Sequence, residues 1–333
     1  PVEKDENGMY FHTIIFGHFR TGENYNDEEQ REGIGRNGLG AKICNIFSTY
    51  FKVEGYDSEL NKKFTQVWEN NMRKVNDPVI EDIKEKTGYT KITWIPDFER
   101  FSMKKYTKDS LSVLYKYILD ITFLTRVNVF LNGTRICIDS FVDYANLYLP
   151  EPCKTFIHLT SKTHDVVLMP NDEKEFNVVS FVNGGYTSLG GIHADKWSEE
   201  FFRPIVDKIN AKNTDKNGNA KRPKINIKDV NQFFHLFVSV TVPNPVFESQ
   251  SKLKLKGPNV EAHVPQAKIN EIMKWDIIDE IYNLIESKEL QRLSKTTKKR
   301  KGYVKIDKYE PANNEGGKLA HECTLFLCEG DSA

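Results

Sequence analysis

No stretch of the 333 residues approaches the roughly 20 consecutive apolar residues that a membrane-spanning helix needs. An excess of charge of one sign is also missing. Forty-seven Lys and Arg balance forty-seven Asp and Glu, so the molecule as a whole has no net attraction to nucleic acid or to an anionic membrane, and any basic surface must be local. Cysteines are scarce. The five of them (Cys44, Cys137, Cys153, Cys323 and Cys328) show no metal-ligand spacing and mostly sit in apolar runs, the pattern of reduced core thiols in a reducing compartment. The opening "PVEKDENGMYFH" has neither the basic nor the apolar region of a secretory leader. Internal repeats are absent, and low complexity is confined to polar loops.

What remains is a chain 28% charged and 39% hydrophobic, long enough to bury more than one core and to form about two domains. It starts on a proline and stops after "EGDSA", which reads as a piece of something longer. In "AKICNIFSTYF", Ile43, Ile46, Phe47 and Tyr50 recur at helical spacing and predict an amphipathic helix. "TKITWIP" and "VNVFLNGTRICI" read as strands, the second folded into a hairpin at Asn132-Gly133, with a helix over 107–119 between them. From about residue 150, "KTFIHLTS", "HDVVLMP" and "FNVVSFVNGG" read as strands of a second, mixed sheet, followed by a helix over 194–211 and a buried strand in "HLFVSVTV". Residues 267–295 form one long helical pattern with Ile272, Ile277, Ile281 and Leu284 broadly on one side. "ECTLFLCEGDSA" closes the chain as an apolar strand ending in acids.

The chemistry concentrates in "GIGRNGLGAK", residues 33–42. A phosphate site needs free backbone N–H groups and a chain able to pass close to the anion, which Gly35, Gly38 and Gly40 permit, with Ala41 and Lys42 opening a helix behind them. No Ser or Thr follows Lys42, so this is not the P-loop pattern, and no apolar strand immediately precedes it, so it is not the dinucleotide fingerprint. On chemistry alone, a phosphate loop and a plain flexible turn both remain open.

The neighbours make the resemblance specific. "GRNGLGAKICNIFSTYF" resembles the ATP-lid loop and following helix of the type IIA DNA topoisomerases, whose nucleotide domain belongs to the GHKL ATPase superfamily. "NYND" is similar to that family's segment before the lid, "NPVFESQSK" to its Gln-Thr-Lys loop, and "ECTLFLCEGDSA" to the first strand of its TOPRIM domain. "VFLNG" and "GGIHAD" fill the intervals, so the resemblance runs along essentially the whole chain.

The resemblance implies an α+β fold: a partial GHKL (Bergerat) α/β sandwich over 1–148, a mixed α/β transducer domain over 149–318, and the first TOPRIM strand over 319–333. It implies ATP and Mg2+ as cofactors. Asn24, Gly35, Arg36, Asn37, Gly38, Leu39, Gly40, Ala41 and Lys42 would wrap the nucleotide, mostly through main-chain N–H groups. Lys252 would reach the γ-phosphate with Gln250 as a second donor; read without the family, Lys252 belongs with Lys254 and Lys256 on a solvated face. Gly22 and Glu23 stand where the family places two serines, and Leu39 where it often has tyrosine. Glu329, followed by Asp331, would be a metal ligand for DNA cleavage. Lys298, Lys299, Arg300 and Lys301 in "KTTKKRKG" read either as a solvated linker or as contacts to DNA phosphates; Lys221, Arg222 and Lys224 read as plain surface. His193 reads as structural.

As implied partners the family has double-stranded DNA and a second copy of itself, joined through the ATPase region, with no membrane. The implied location is the nucleus or, for a virus, the cytoplasmic viral factory or virion. The expected function is part of an ATP-dependent type II topoisomerase whose dimeric gate drives one duplex through a transient break in another. The Glu-x-x-x-Asn helix of GHKL enzymes is expected upstream of Pro1, so this chain alone is not expected to hydrolyse ATP. Two rivals are another GHKL ATPase, of chaperone or mismatch-repair type, and a non-catalytic clamp that binds DNA.

Overall fold

The structure, a computed structural model, describes residues 1–19, 21–22, 30–31, 33–35, 37–125, 127–212, 223–299 (side chains only to 290), 310 and 312–326. It divides into two compact units, one of 1–212 with 225–281 and one of 213–224 with 282–333. The first holds both sheets and all the residues of the site described below.

Helix α1, Phe11–Gly17, forms from the first apolar stretch, and α2, Gly40–Ile46, from the end of the glycine run. The chain then runs through β1 (Ser48–Asp57), β2 (Lys62–Glu69), β3 (Lys74–Val75), β4 (Val79–Asp82) and β5 (Tyr89–Pro96). These make an antiparallel sheet with β1 between β2 and β5, and with β3 and β4 paired to β2. Period-2 alternation along β1 turns Phe51 and Val53 to the same side as Phe64 and Trp68 of β2, and Phe16 of α1 completes that core.

The helix expected to run through Tyr50 therefore stops at Ile46, and Tyr50 lies in β1 paired with Glu69 and Ile95. Phe47 and Tyr50 continue the helical spacing of Ile43 and Ile46, yet β1 already begins at Ser48. Pairing with two neighbouring strands decides for the strand.

Helix α3, Lys108–Thr125, is longer than the expected 107–119. The hairpin of β6 (Val129–Leu131) and β7 (Thr134–Ile136) turns at Asn132 and Gly133, both with positive φ (50° and 82°), as an Asn-Gly turn of this kind requires. Helix α4, Phe141–Asn146, starts on Ser140, whose hydroxyl accepts from the Asp143 N–H at 3.1 Å.

The second sheet takes β8 (Ile157–Thr160), β9 (His164–Pro170), β10 (Asn177–Val182) and β11 (Gly185–Tyr186); after helices α5 (Ile192–Lys212) and α6 (Ile227–Asn231), strand β12 (Phe234–Val240) enters between β10 and β9. Only the β10–β12 pair is parallel, so the sheet is mixed, as the sequence predicts. One face packs Val167, Met169, Phe181 and Phe237 against Phe123 of α3 and Phe141 and Tyr144 of α4. On the other face Phe234 meets Phe202 of α5, ring centroids 5.4 Å apart.

A small pair, β13 (Val246–Phe247) and β14 (Leu255–Gly257), brackets the Gln250–Lys252 turn. The expected long helix over 267–295 is two: α7, Gln266–Ile272, and α8, Ile277–Lys299, interrupted at residues 273–276. Among the described side chains of α8 the buried ones are Ile277, Ile278, Ile281 and Ile285, while Leu284 is only partly buried. At the other end of the chain, Ala320–Glu322 is a 3-10 turn and residues 323–326 form no strand among the described residues; Leu325 and Phe326 are exposed.

Candidate functional site

The glycine run and the Gln250–Lys252 turn come together in space. The Asn37 side-chain amide donates to Gln250 Oε1 at 2.7 Å across 213 residues of sequence. Between the two segments lies an open cleft of about 470 Å3 lined by Gly35, Gly38, Leu39 and Gly40 on one wall, Gln250, Ser251 and Lys252 on the other, with Asn37 and Ile43 beside them. Gly38 has φ +54°, and a Cβ there would come 2.8 Å from the Gly22 nitrogen, so this position needs glycine on both counts. Gly35 and Gly40 border open space: a Cβ at either would meet nothing within 4 Å. Leu39 precedes α2 without a side-chain cap, which leaves the first-turn amides of that helix without the usual hydroxyl or carboxylate partner.

On the opposite wall, Ser249, Gln250, Ser251 and Lys252 form a tight turn. The Lys252 N–H donates to the Ser249 carbonyl at 3.0 Å, Lys252 sits at φ +58°, and the Ser249 and Ser251 hydroxyls are 2.6 Å apart. Lys252 is half-buried while Lys254 and Lys256 are exposed, and Lys256 is paired with Glu248 at 3.3 Å. Burial, and after it the nearby charge of Arg31, pushes the Lys252 ammonium below its ordinary pKa. A cation held this way gains free energy from an anion placed beside it.

The structure does not bring every expected side chain to the cleft. Lys42 is 3% exposed, its ammonium donating to Thr21 Oγ1 at 2.8 Å, and burial lowers its pKa; Ala41 packs into the first sheet's core. Both can face the cleft only through the main chain. Asn24, Arg36, Glu329, Arg300 and Lys301 lie outside the described residues, as do Glu23, Lys221, Arg222 and Asp331, and Lys298 and Lys299 are described in backbone only. Among the described residues no group of three or more His, Cys, Asp or Glu could hold a metal ion. His193 is fully buried, its Nε2 3.1 Å from Thr187 Oγ1, and burial lowers its pKa to about 4, which suits the structural role read from the sequence.

Ile43 was not expected at the cleft. Its place on a helical apolar pattern suggested core, whereas it is 42% exposed in a helix of only 7 residues. The side chains facing inward are Lys42 and Asn45, the latter donating to the Phe16 carbonyl at 3.0 Å.

The profile of the family described as DNA gyrase B matches residues 138–301. DNA topoisomerase 2 of Invertebrate iridescent virus 6 is 36% identical over 339 residues, covering 98% of this chain and 29% of that protein. The chain thus spans less than a third of this relative's length. The ATPase region of Saccharomyces cerevisiae topoisomerase II superposes with a TM-score of 0.74 at 32% identity, over 86% of this chain and 74% of that one. The ATPase and transducer domains of DNA topoisomerase II from Balamuthia mandrillaris superpose at 0.76, with 28% identity over the same shares. The mixed helix-and-sheet architecture is therefore of the GHKL-type ATPase and transducer kind expected from the sequence. Similar along its whole sequence and across most of its fold, the chain belongs to the type II DNA topoisomerase family and corresponds to its ATPase and transducer region.

Proposed function

We propose that the cleft between the glycine loop and the Gln250–Lys252 turn is the ATP site of a type II DNA topoisomerase, whose ATP-operated dimeric gate drives one DNA duplex through a transient double-strand break in another. The observation that carries the reading is the Asn37–Gln250 hydrogen bond, which closes the two motifs singled out by sequence onto one cleft. The residues suit a triphosphate. Gly35, Gly38 and Gly40 place no side chain between the main chain and a bound anion, and the half-buried Lys252 supplies a movable positive charge on the facing wall. ATP, with Mg2+, would supply the terminal phosphate whose cleavage drives the cycle.

In this reading Gly35, Asn37, Gly38, Leu39 and Gly40 orient the phosphates, with Asn24 and Arg36 joining them. The main chains of Ala41 and Lys42 complete the lid. Lys252 and Gln250 sense the terminal phosphate and couple its loss to domain movement. Residues 1–148 then belong to the nucleotide domain, 149–318 to the transducer and 319–333 to the start of TOPRIM. Glu329 serves the cleavage metal, and Lys298, Lys299, Arg300 and Lys301 contact DNA phosphates.

ATP hydrolysis by the full-length protein, with and without supercoiled DNA, tests this beside Lys252→Ala. DNA-stimulated hydrolysis that falls about a hundredfold on losing Lys252, the effect of removing one transition-state donor, is the expected result. Absence of nucleotide binding in the wild type, or an unchanged rate in Lys252→Ala, overturns it.

A further inference from the structure

The glycine loop is tied to the second sheet at two places besides Gln250. The Arg31 N–H donates to Asn244 Oδ1 at 3.1 Å, and the Asn244 N–H donates back to the Arg31 carbonyl at 3.1 Å. The Arg31 guanidinium adds a long contact to the Pro245 carbonyl at 3.4 Å. Asn244 sits at φ +47°, a left-handed conformation that asparagine accepts more readily than most residues. Farther along the loop, Ile34 lies over Gly185, the first residue of β11, where a Cβ would collide with Ile34 Cδ1.

The base of this attachment is itself rigid. Asn183, in the β10–β11 turn, donates through its side chain to the Val242 carbonyl and accepts from the Val242 N–H, both at 2.8 Å, while its own N–H donates to the Val240 carbonyl at 2.9 Å. One asparagine thus pins the loop after β12 to the neighbouring turn, and the next uses that pinned loop to hold the glycine segment.

We propose that Asn244, together with the bare backbone of Gly185, forms a latch that sets the glycine loop in register against the second sheet, which makes Asn244 a positioning residue for the nucleotide. The proposal rests on reading the cleft as an ATP site. Asn244 and the Gln250–Lys252 turn belong to the same connection after β12, so the latch fixes both walls of the cleft from one base. It also fixes Arg31, whose charge bears on Lys252. A lid that is already placed pays less ordering entropy when a ligand arrives, so the latch acts on affinity more than on chemistry.

The test uses the full-length protein and three substitutions. Asn244→Gly keeps access to positive φ and removes only the carboxamide; Asn244→Asp restores an acceptor; Gly185→Val displaces Ile34 without touching Asn244. Amide hydrogen exchange from Arg31 to Gly38 without nucleotide, and the ATP KM and kcat, are the readouts. Asn244→Gly is expected to speed exchange in that segment and leave β12 protected, and to raise KM about fivefold, the weight of one net hydrogen bond, with a smaller change in kcat. Asn244→Asp should recover most of the protection, and Gly185→Val should move both readouts the same way as Asn244→Gly.

Unchanged exchange and KM in both Asn244→Gly and Gly185→Val overturn the latch. So does faster exchange spread through β12, which marks a general structural role. A wild type that binds no nucleotide defeats the ATP reading instead, and loss of protection confined to the segment in Asn244→Gly then still supports the latch.

Discussion

The two sheets bury their residues differently. In the second, Val166, Val167, Leu168 and Met169 of β9 are all fully buried, because α3 and α4 cover one face and α5 the other. In the first, Phe51 and Val53 are covered by α1, yet their β5 partners in register, Trp94 and Ile92, are 48% and 42% exposed. The apolar face of the first sheet outruns its cover. Hydrophobic stabilisation scales with area removed from water, so it concentrates in the second sheet. The cleft lies between the two: α2, which continues the glycine loop, packs on the first sheet through Ala41, while the Gln250–Lys252 turn follows β12 of the second. One wall is therefore built on a firm base and the other on a softer one.

The largest expected effect tests that contrast directly. Phe181 is fully buried and its ring contacts those of Phe123, Phe141, Tyr144 and Tyr186, so Phe181→Ala should cost about 3–5 kcal/mol in a denaturant melt. Trp94→Ala, a larger truncation at an exposed site, should cost no more than about 1 kcal/mol. Equal losses would mean that the first sheet's open face is covered in solution.

Acid should weaken the second sheet through its buried histidines. His193 has a folded pKa of about 4 against an ordinary 6.5, so the unfolded chain binds a proton that the buried imidazole refuses. Stability is complete above the unfolded value and declines as the pH falls from 6.5 toward 4, by roughly 3 kcal/mol for this one residue. His164 in β9 and His235 in β12 are shifted the same way, chiefly by burial. Melts between pH 7 and pH 4.5 should show this slope, and His193→Gln should flatten it; a His193→Gln protein with the wild-type slope would rule the residue out as its source.

Much of the second sheet is legible without coordinates. A strand buried on both faces reads as a continuous apolar run, as in "HDVVLMP" and "FHLFVSV", and Asn132-Gly133 announces its turn by the positive φ it must adopt. The misread places are Tyr50, where helical spacing carries on past the end of α2 into a strand, and the interruption between α7 and α8. Of the site, glycine spacing exposes one wall and the Gln-Ser-Lys turn the other, but their meeting does not follow from any local pattern, because it depends on contacts 213 residues apart. Lys42 shows the converse. Its place in the motif points to phosphate, yet its short helix packs that side against α1 and Thr21, and the side chain follows the packing.

The smallest effect concerns the first sheet's other face, where charged side chains gather around Glu54. Glu54, with its side chain 10% exposed, lies 3.1 Å from Lys52, 3.5 Å from Lys63 and 3.7 Å from Lys91. Burial alone would raise its pKa, but the hydrogen bond and charge of Lys52, the charge of Lys91 and the bond from Lys63 outweigh that and hold it below the ordinary 4.5. The associated stability is present above 4.5 and is lost as the pH falls through the lower folded value. Glu54→Gln removes the only negative charge among these four side chains, which should cost about 1 kcal/mol at pH 7 and less in high salt, since Lys91 is 65% exposed and open to screening. Once the pH lies below the depressed folded value the wild-type and variant melts should converge, because the carboxylate is then neutral in both states. A deficit of the same size at every pH would assign the loss to packing, and the two faces of this sheet would then differ in composition but not in the kind of force that holds them.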